Sequence, residues 1–461
     1  MASPYLLSRG GAAPGSPRDP VILLPVIRQS AHSLLSLLVM GLGKALFVLL
    51  TANLYGPEGQ GVVTLGISVM VLVSLFLGLG TDLSVTYLVG QSPSRLSALR
   101  VNSALLSVLA LGATLGVLAV AFRIFGTTVF RDFPSEGRLA LVVLVGFQVY
   151  HLQIQGLTVG LGRFHDLTVA NLFQYLSVVP GVWVLHLTGQ PAVTVLYLWA
   201  GGLLVKTVYL LSRLPSVSAE SPEGRLEVMR RQLIVGRQMM LGNLANLLNF
   251  RLDAYFIAYF LPATHLGWYA VASMIAEGTL YLPKAFGQVV FSWAAQERND
   301  AVARAQSIRN VFLTASYLTL AMMLLVQLLL RPAMSLLFGE AFLPALAPAR
   351  VLLVASVLYG IGLVAMNLIY GLGNPTWNTR AGMIAAGLNA LGNAFAIPRW
   401  GILGAAYASL FSYAVYCLLN LANVGKYLPG GASLRYLLVP DREYLTTSLT
   451  RLRHAWARRR G

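Results

Sequence analysis

A chain of 461 residues that is 57% hydrophobic and 11% charged, with a mean hydropathy of +0.70, falls outside the soluble globular class. Soluble domains carry roughly a quarter charged residues; here apolar runs of about 20 residues recur from end to end, as in a polytopic helical membrane protein and unlike the short alternating strands of a β-barrel. The net charge of +17 raises nucleic acid as a partner, but no basic soluble domain exists to carry it, so the charge reads as membrane-face bias and affinity for anionic headgroups.

In chain order, residues 1–29 form an N-terminal extension, rich in Gly, Ser and Pro over its first 20 residues and without a cleavable signal pattern, which predicts a cytoplasmic segment. Six spans follow near 30–54, 61–89, 101–122, 139–160, 167–187 and 192–211, composing an N-terminal lobe at 30–211. The segment 212–235, "SRLPSVSAESPEGRLEVMRRQLIV", is the longest charged stretch between spans and divides the chain as a cytoplasmic linker. Six more spans near 236–260, 267–295, 308–330, 351–370, 377–397 and 401–424 compose a C-terminal lobe at 236–424. The tail, 425–461, has 8 basic residues against Asp441 and Glu443. Its Leu445, Leu449, Leu452 and Trp456 share one helical face, which predicts an amphipathic helix on the inner leaflet, with docking to a cytoplasmic glycosyltransferase as a sharper alternative. The lone Cys417 lies in an apolar run, so an intrachain disulfide is impossible.

Basic residues orient the spans. With both termini inside, and residues at span ends counted with the neighbouring loop, 23 Lys and Arg fall on the inner side, 6 on the outer side and 4 inside spans. That bias places both termini in the cytoplasm. The halves also echo one another. "YGPEGQGVVTLGISVMV" joins spans one and two, and "FLPATHLGWYAVASMIA" joins spans seven and eight, with Gly61 and Gly267 aligned at an offset of 206. "GLGRF" from Gly160 corresponds to "GLGNP" from Gly371. Two like-oriented six-span repeats related by an axis along the membrane normal follow, and transporters so built hold substrate at the midplane between their halves.

The stretch "LYGPEGQGVVTLGISVMVLVSLFLGLGTDLSVTYLVG" resembles the first hairpin of polysaccharide flippases, and "RLDAYFIAYFLPATHLGWYAVASMIAEGTLYLP" resembles their seventh and eighth spans. "GLGNPTWNTRAGMIAAGLNALGNAFAIPRWGILGAAYASLFSY" is similar to their closing motif. The resemblance covers nearly the whole chain. It implies an all-α membrane fold of twelve helices in two pseudo-symmetric six-helix lobes around a central cavity, the architecture of the multidrug/oligosaccharidyl-lipid/polysaccharide exporter superfamily. It further implies alternating access that moves a polyprenyl-diphosphate-linked oligosaccharide outward across a bacterial inner membrane, for cell-surface polysaccharide synthesis. Partners would be that lipid-linked oligosaccharide, membrane lipids, and a polysaccharide polymerase with its glycosyltransferases. Lipid II flippases usually carry two additional spans, so twelve spans favour a surface polysaccharide unit over the peptidoglycan precursor.

Ionisable residues inside spans cost about 2.5–3.5 kcal/mol on insertion scales and mark functional sites by default. The candidates are Lys44, Asp82, Lys206, Arg251, Asp253, Glu277 and Lys284. The repeat offset carries Lys44 to the neighbour of Arg251, so each lobe would supply one cation beside the cavity, as a diphosphate requires. Lys284, after Pro283, sits at an expected kink as a third phosphate contact. Arg251 and Glu277 lie at similar depth on adjoining helices, which predicts an ion pair between them. Glu277, Asp82 and Asp253 are the coupling or gating candidates. Asn243, Asn246, Asn249 and Asp253 form a polar stripe that would line the cavity and meet sugar hydroxyls, against the alternative of interhelical hydrogen bonds. Lys206, near the inner end of span six, reads as snorkelling. His151 reads as a buried, hydrogen-bonded histidine, and Tyr255 and Tyr259 as aromatic surfaces for sugar rings.

No cofactor is expected beyond a coupling cation. "GLGKALF" fails as a phosphate-binding loop, because the required first glycine is Leu38 and the required Ser or Thr is Ala45. No metal-spaced His/Cys cluster or pair of catalytic carboxylates points to an enzyme. Two rival readings stand. A cation-coupled multidrug exporter would use a buried acid in the first lobe, where span one has Lys44 instead. A membrane-embedded glycosyltransferase or polymerase would need acidic catalytic groups and long outer loops. In a Cys417→Ser background, Ser218→Cys should react with an impermeant maleimide only after the membrane is opened, and Thr128→Cys from outside; the reverse pattern would invert the topology.

Overall fold

The computed structural model describes residues 20–215, 224–295, 301–372 and 375–424, with Lys426, Val439 and Pro440. The expected extension before residue 20, the middle of the linker and the amphipathic tail lie outside the described residues. Twelve α-helices follow in order: α1 Pro20–Gly78, α2 Thr81–Gln91, α3 Leu96–Phe125, α4 Gly137–Gly160, α5 Phe164–Leu187, α6 Val195–Arg213, α7 Arg225–Phe260, α8 Ala263–Thr279, α9 Tyr281–Ala295, α10 Ala301–Phe338, α11 Leu346–Gly371 and α12 Pro375–Val424.

Helices and spans are not the same units. α1 holds span one and most of span two, folded back at Gly56, whose φ of 68° opens a turn that an L residue resists; Pro57, with no N–H to satisfy, starts the next span. α12 holds spans eleven and twelve in the same way around Gly401, at φ 58°. Span two breaks again at Leu79 and Gly80 before α2. Span eight breaks between α8 and α9 at Leu280, because Pro283 cannot donate to the carbonyl of Thr279 one turn back. The result is twelve crossings. Among the described residues, eight helices are long and apolar enough to cross a bilayer on length and composition alone. The chain is a multi-pass membrane protein.

α7 begins earlier than the hydropathy suggests. Its first turns, expected to be linker, are helical and pack on the N-terminal lobe, with Val228 and Gln232 fully buried. Gln232 donates to Gln153 at 3.3 Å and Asn102 donates to the Arg225 carbonyl at 3.2 Å. The polar character that reads as linker is thus used against amides of the first lobe.

The core is continuous at one end of the bundle and divided at the other. Toward the Gly56 and Gly401 turns, the outer end by charge bias, a single apolar cluster joins both lobes, from Phe47, Val63 and Leu196 to Ile257, Val271 and Leu353. Toward the opposite end, the cluster of Val85, Leu99, Ile154 and Leu210 is separate from that of Phe312, Ala365, Leu368 and Leu421. The lobes are therefore sealed at the end of the Gly56 and Gly401 turns and parted at the other.

At the seal, spans two and eight cross at a pair of glycines. A Cβ on Gly61 would collide with the carbonyl of Ala263, and one on Gly267 with the carbonyl of Pro57. Gly61 and Gly267 stand 206 residues apart, as do Pro57 and Ala263, so the contact is its own image under the repeat symmetry, in the manner of an isologous dimer interface. Small residues let the two backbones touch where lipid offers no hydrophobic drive. Gly61→Ala should cost about 1–3 kcal/mol by overpacking. It should lower the thermal unfolding midpoint in detergent, and adding Gly267→Ala should cost less than the sum; an unchanged midpoint would show a looser crossing.

Candidate functional site

Between the lobes lies a cavity of about 420 Å³ that brings together most of the charged candidates. The N-terminal lobe contributes Lys44 from α1, His151 from α4 and Lys206 from α6; the C-terminal lobe contributes Arg251 from α7, Glu277 from α8 and Lys284 from α9. Four cations thus line one space, drawn from both lobes, with one carboxylate among the described lining residues.

Two glycines shape the wall around Lys44. A Cβ on Gly43 would strike the Tyr175 ring, and one on Gly41 would lie 2.6 Å from the Tyr281 ring. Their absence lets two aromatic rings pack against span one on either side of the lysine. The motif that fails as a nucleotide loop is a packing device.

The ion pair expected between Arg251 and Glu277 is instead made by Lys44, whose Nζ lies 2.6 Å from Glu277 Oε2. Helix depth alone could not distinguish these partners, because Lys44 comes from the other lobe. Arg251 and Lys284 remain within Coulombic reach of the same carboxylate. Lys284 is exposed in the cavity wall, its ammonium 5.5 Å from the Tyr281 ring centroid. The Lys44–Glu277 pair is the electrostatic tie between the lobes at cavity depth, its side chains 32% and 29% exposed.

Lys206 does not snorkel. It is 6% exposed and faces the cavity. His151 is buried as expected, with Nδ1 3.0 Å from Thr207 Oγ1 and Nε2 3.1 Å from Gln155 Oε1, yet its ring also borders the cavity. Gln148, His151 and Gln155 recur at helical spacing on α4, so the polar stripe of "QVYHLQIQ" was the available signal for this wall.

The asparagine stripe of α7 divides. Asn249 and Asp253 turn into the C-terminal lobe, where Asp253 borders a small pocket of about 30 Å³ that shares Phe250, Tyr269, Ser273 and Glu277 with the central cavity. Asn249 donates to the Gly382 carbonyl at 3.0 Å, while its own carbonyl accepts from Tyr413. Asp253 accepts from Tyr269, from Asn393 at 2.6 Å and from Ser409 at 2.7 Å, and Asn393 also donates to Asn389 at 2.9 Å. These residues form a hydrogen-bonded polar knot joining α7, α8 and α12, which is the interhelical alternative to a sugar-binding wall. The Asn246 side chain lies outside the described residues. Asn243 and Asp82 border a neighbouring chamber of about 190 Å³ between α1, α2, α4 and α7, which shares Val71, Gln148 and Leu152 with the main cavity. Asp82 opens α2 beside Gly80, whose backbone touches that of Gly236 on α7. Tyr255 and Tyr259 do not line the main cavity: Tyr255 donates to the Ser68 carbonyl at 2.5 Å across the lobes, and Tyr259 is exposed beside Phe260.

Two inward-turned lobes around a common cavity define the fold shared by multidrug exporters and lipid II flippases. A multidrug resistance MATE family transporter in its inward-facing conformation is similar over 86% of this chain and 98% of its own, with a TM-score of 0.65 and 14% identity. The lipid II flippase MurJ in an inward closed conformation is similar over 89% and 88%, with a TM-score of 0.66 and 12% identity. Residues 28–291 match the family described as polysaccharide biosynthesis protein, and the chain belongs to that family. A probable low-salt glycan biosynthesis flippase of Haloferax volcanii is 22% identical over 59% of this chain and 57% of its own. An uncharacterized membrane protein of Methanocaldococcus jannaschii is 23% identical over 62% and 56%. The chain therefore spans a little over half the length of these two relatives.

Because the Lys44–Glu277 pair is partly screened by cavity water, it should contribute about 1 kcal/mol and not the 3–5 kcal/mol lost when a fully buried pair is broken. Glu277→Gln should reduce stability by that smaller amount in a thermal melt and tighten binding of inorganic pyrophosphate; weaker pyrophosphate binding would show that Glu277 does not compete with anions.

Proposed function

We propose that the protein is a flippase that carries a polyprenyl-diphosphate-linked oligosaccharide from the cytoplasmic to the outer leaflet during cell-surface polysaccharide synthesis. The observation that carries this reading is the convergence of Lys44 from one lobe with Arg251 and Lys284 from the other on one cavity. A diphosphate cannot cross hydrocarbon unaccompanied, and a cavity of positive charge replaces its water. The forked guanidinium of Arg251 matches phosphate oxygens, while Lys44 and Lys284 act as point charges around it. Membership of the polysaccharide biosynthesis family and likeness to a probable glycan biosynthesis flippase support the same reading.

The geometry suggests the cycle. With lobes parted inside, the headgroup enters from the cytoplasmic leaflet while its lipid tail stays in the bilayer. Phosphate oxygens compete with Glu277 for Lys44 and loosen the tie between lobes. The lobes then rock about the Gly61–Gly267 crossing until the outer seal opens. The four cations against one carboxylate also argue against a cationic drug as cargo, because such a cavity repels it. The one carboxylate is held by a lysine, an arrangement suited to transport and not to acid–base hydrolysis. A polymerase that consumes the glycan outside would draw the cycle forward.

Lys44→Ala and Arg251→Ala should each reduce outward transfer of lipid-linked glycan by about tenfold or more, the scale of a lost charge-assisted hydrogen bond of about 1.5–3 kcal/mol. The measurements are surface polysaccharide and the lipid-linked precursor retained inside, with protein levels checked in isolated membranes. Full export by the double variant at normal levels would overturn the proposal.

A further inference from the structure

Lys206 is the cation that the diphosphate does not account for. The charged groups of the cavity separate into two sets. Lys44, Arg251 and Lys284 share the neighbourhood of Glu277, whereas Lys206 stands apart from that carboxylate, beside His151. Three cations less one carboxylate leave two positive charges in the first set. Each esterified phosphate carries about one negative charge, so a diphosphate diester balances that set. Lys206 is left over.

Its surroundings are built for an anion. Lys206 is 6% exposed and Gln174 is 4% exposed, and both face the cavity. Neither side chain has an ion-pair or hydrogen-bond partner among the described residues. The two helices are drawn together at Gly202, one turn before Lys206, where a Cβ would lie 3.3 Å from Gln174 Cγ. Gln155, anchored by His151, completes the wall. An ammonium removed from water without a counter-charge is costly, and the cost is relieved when an anion enters the cavity beside it. Lysine and glutamine donors suit a single carboxylate.

Resting on the flippase reading, we propose that Lys206, with Gln174 and Gln155, forms a second anion subsite that accepts a carboxylate on a sugar close to the diphosphate, so that the preferred cargo is an acidic glycan. Position supports the pairing: the subsite lies in the N-terminal lobe but in the same cavity as the lobe-interface cations, within reach of one headgroup.

The test uses two synthetic short-chain lipids, neryl-diphosphoglucose and neryl-diphosphoglucuronic acid, which differ only at the C6 carboxylate, and full-length protein in detergent. By titration calorimetry the wild type should bind the glucuronyl compound about tenfold more tightly, since each 1.4 kcal/mol is tenfold. Lys206→Met and Lys206→Gln should abolish that preference and leave glucosyl binding unchanged, and Lys206→Arg should keep it. Arg251→Ala should weaken both compounds by the same factor and preserve the preference. Equal wild-type affinities, or equal losses for both compounds in a Lys206→Gln protein with an unchanged unfolding midpoint, would overturn the subsite alone. Failure of the wild type to bind either compound would overturn the flippase reading together with it.

Discussion

An ion within a bilayer has to be solvated by something, and the interior of this protein is organised around how its cations meet that requirement. Lys44 is met by a carboxylate from the opposite lobe at 2.6 Å. Lys284 rests against an aromatic face, and Arg251 shares the field of the same carboxylate. Where the supply falls short, at Lys206, the deficit itself becomes a property of the cavity. Glu277 consequently makes three positive groups tolerable in one cavity, and in the proposed cycle it is the group with which an incoming anion competes.

The proposed rocking of the lobes has its basis in how they pack. At the outer end one apolar core runs through both lobes and is pinned by two glycines whose backbones touch. At the opposite end the cores separate, and α7 reaches across through amide hydrogen bonds and the Gly80–Gly236 contact, with Tyr281 packed on Gly41 nearer the cavity. Small residues and amides can slide or re-pair at modest cost, whereas interlocked large side chains cannot. The crossing glycines and the α7 amides are of the former kind, whereas the apolar core at the Gly56 end and each lobe's interior are of the latter. The Asp253 knot illustrates the second kind: its carboxylate is satisfied by three donors and holds the C-terminal lobe as one body.

The repeat symmetry is obeyed unevenly. At Gly61 and Gly267 each half makes the same contact with the other. In the cavity the symmetry holds only loosely for charge placement, with Arg251 one residue past the position that corresponds to Lys44, and not for partners, since Glu277 pairs with the lysine. The N-terminal lobe adds Lys206 and the glutamines of α4 and α5; the C-terminal lobe adds Glu277 and Lys284. A symmetric frame with asymmetric lining suits a cargo whose two ends are chemically different.

Span number and the placing of Lys44, Arg251, Lys284 and Glu277 around one cavity were legible in the sequence. Apolar run length and the cost of isolated charges are local quantities, and an internal repeat makes depth comparable between halves. Which charge meets which was decided only by tertiary structure. Glu277 has Arg251 and Lys44 at comparable depth, and choosing between them requires the rotation of three helices about their axes. The same rotation turns Asn249 and Asp253 into the lobe and brings Lys206 inward, because side-chain direction on an apolar helix is set by its neighbours and not by its own pattern.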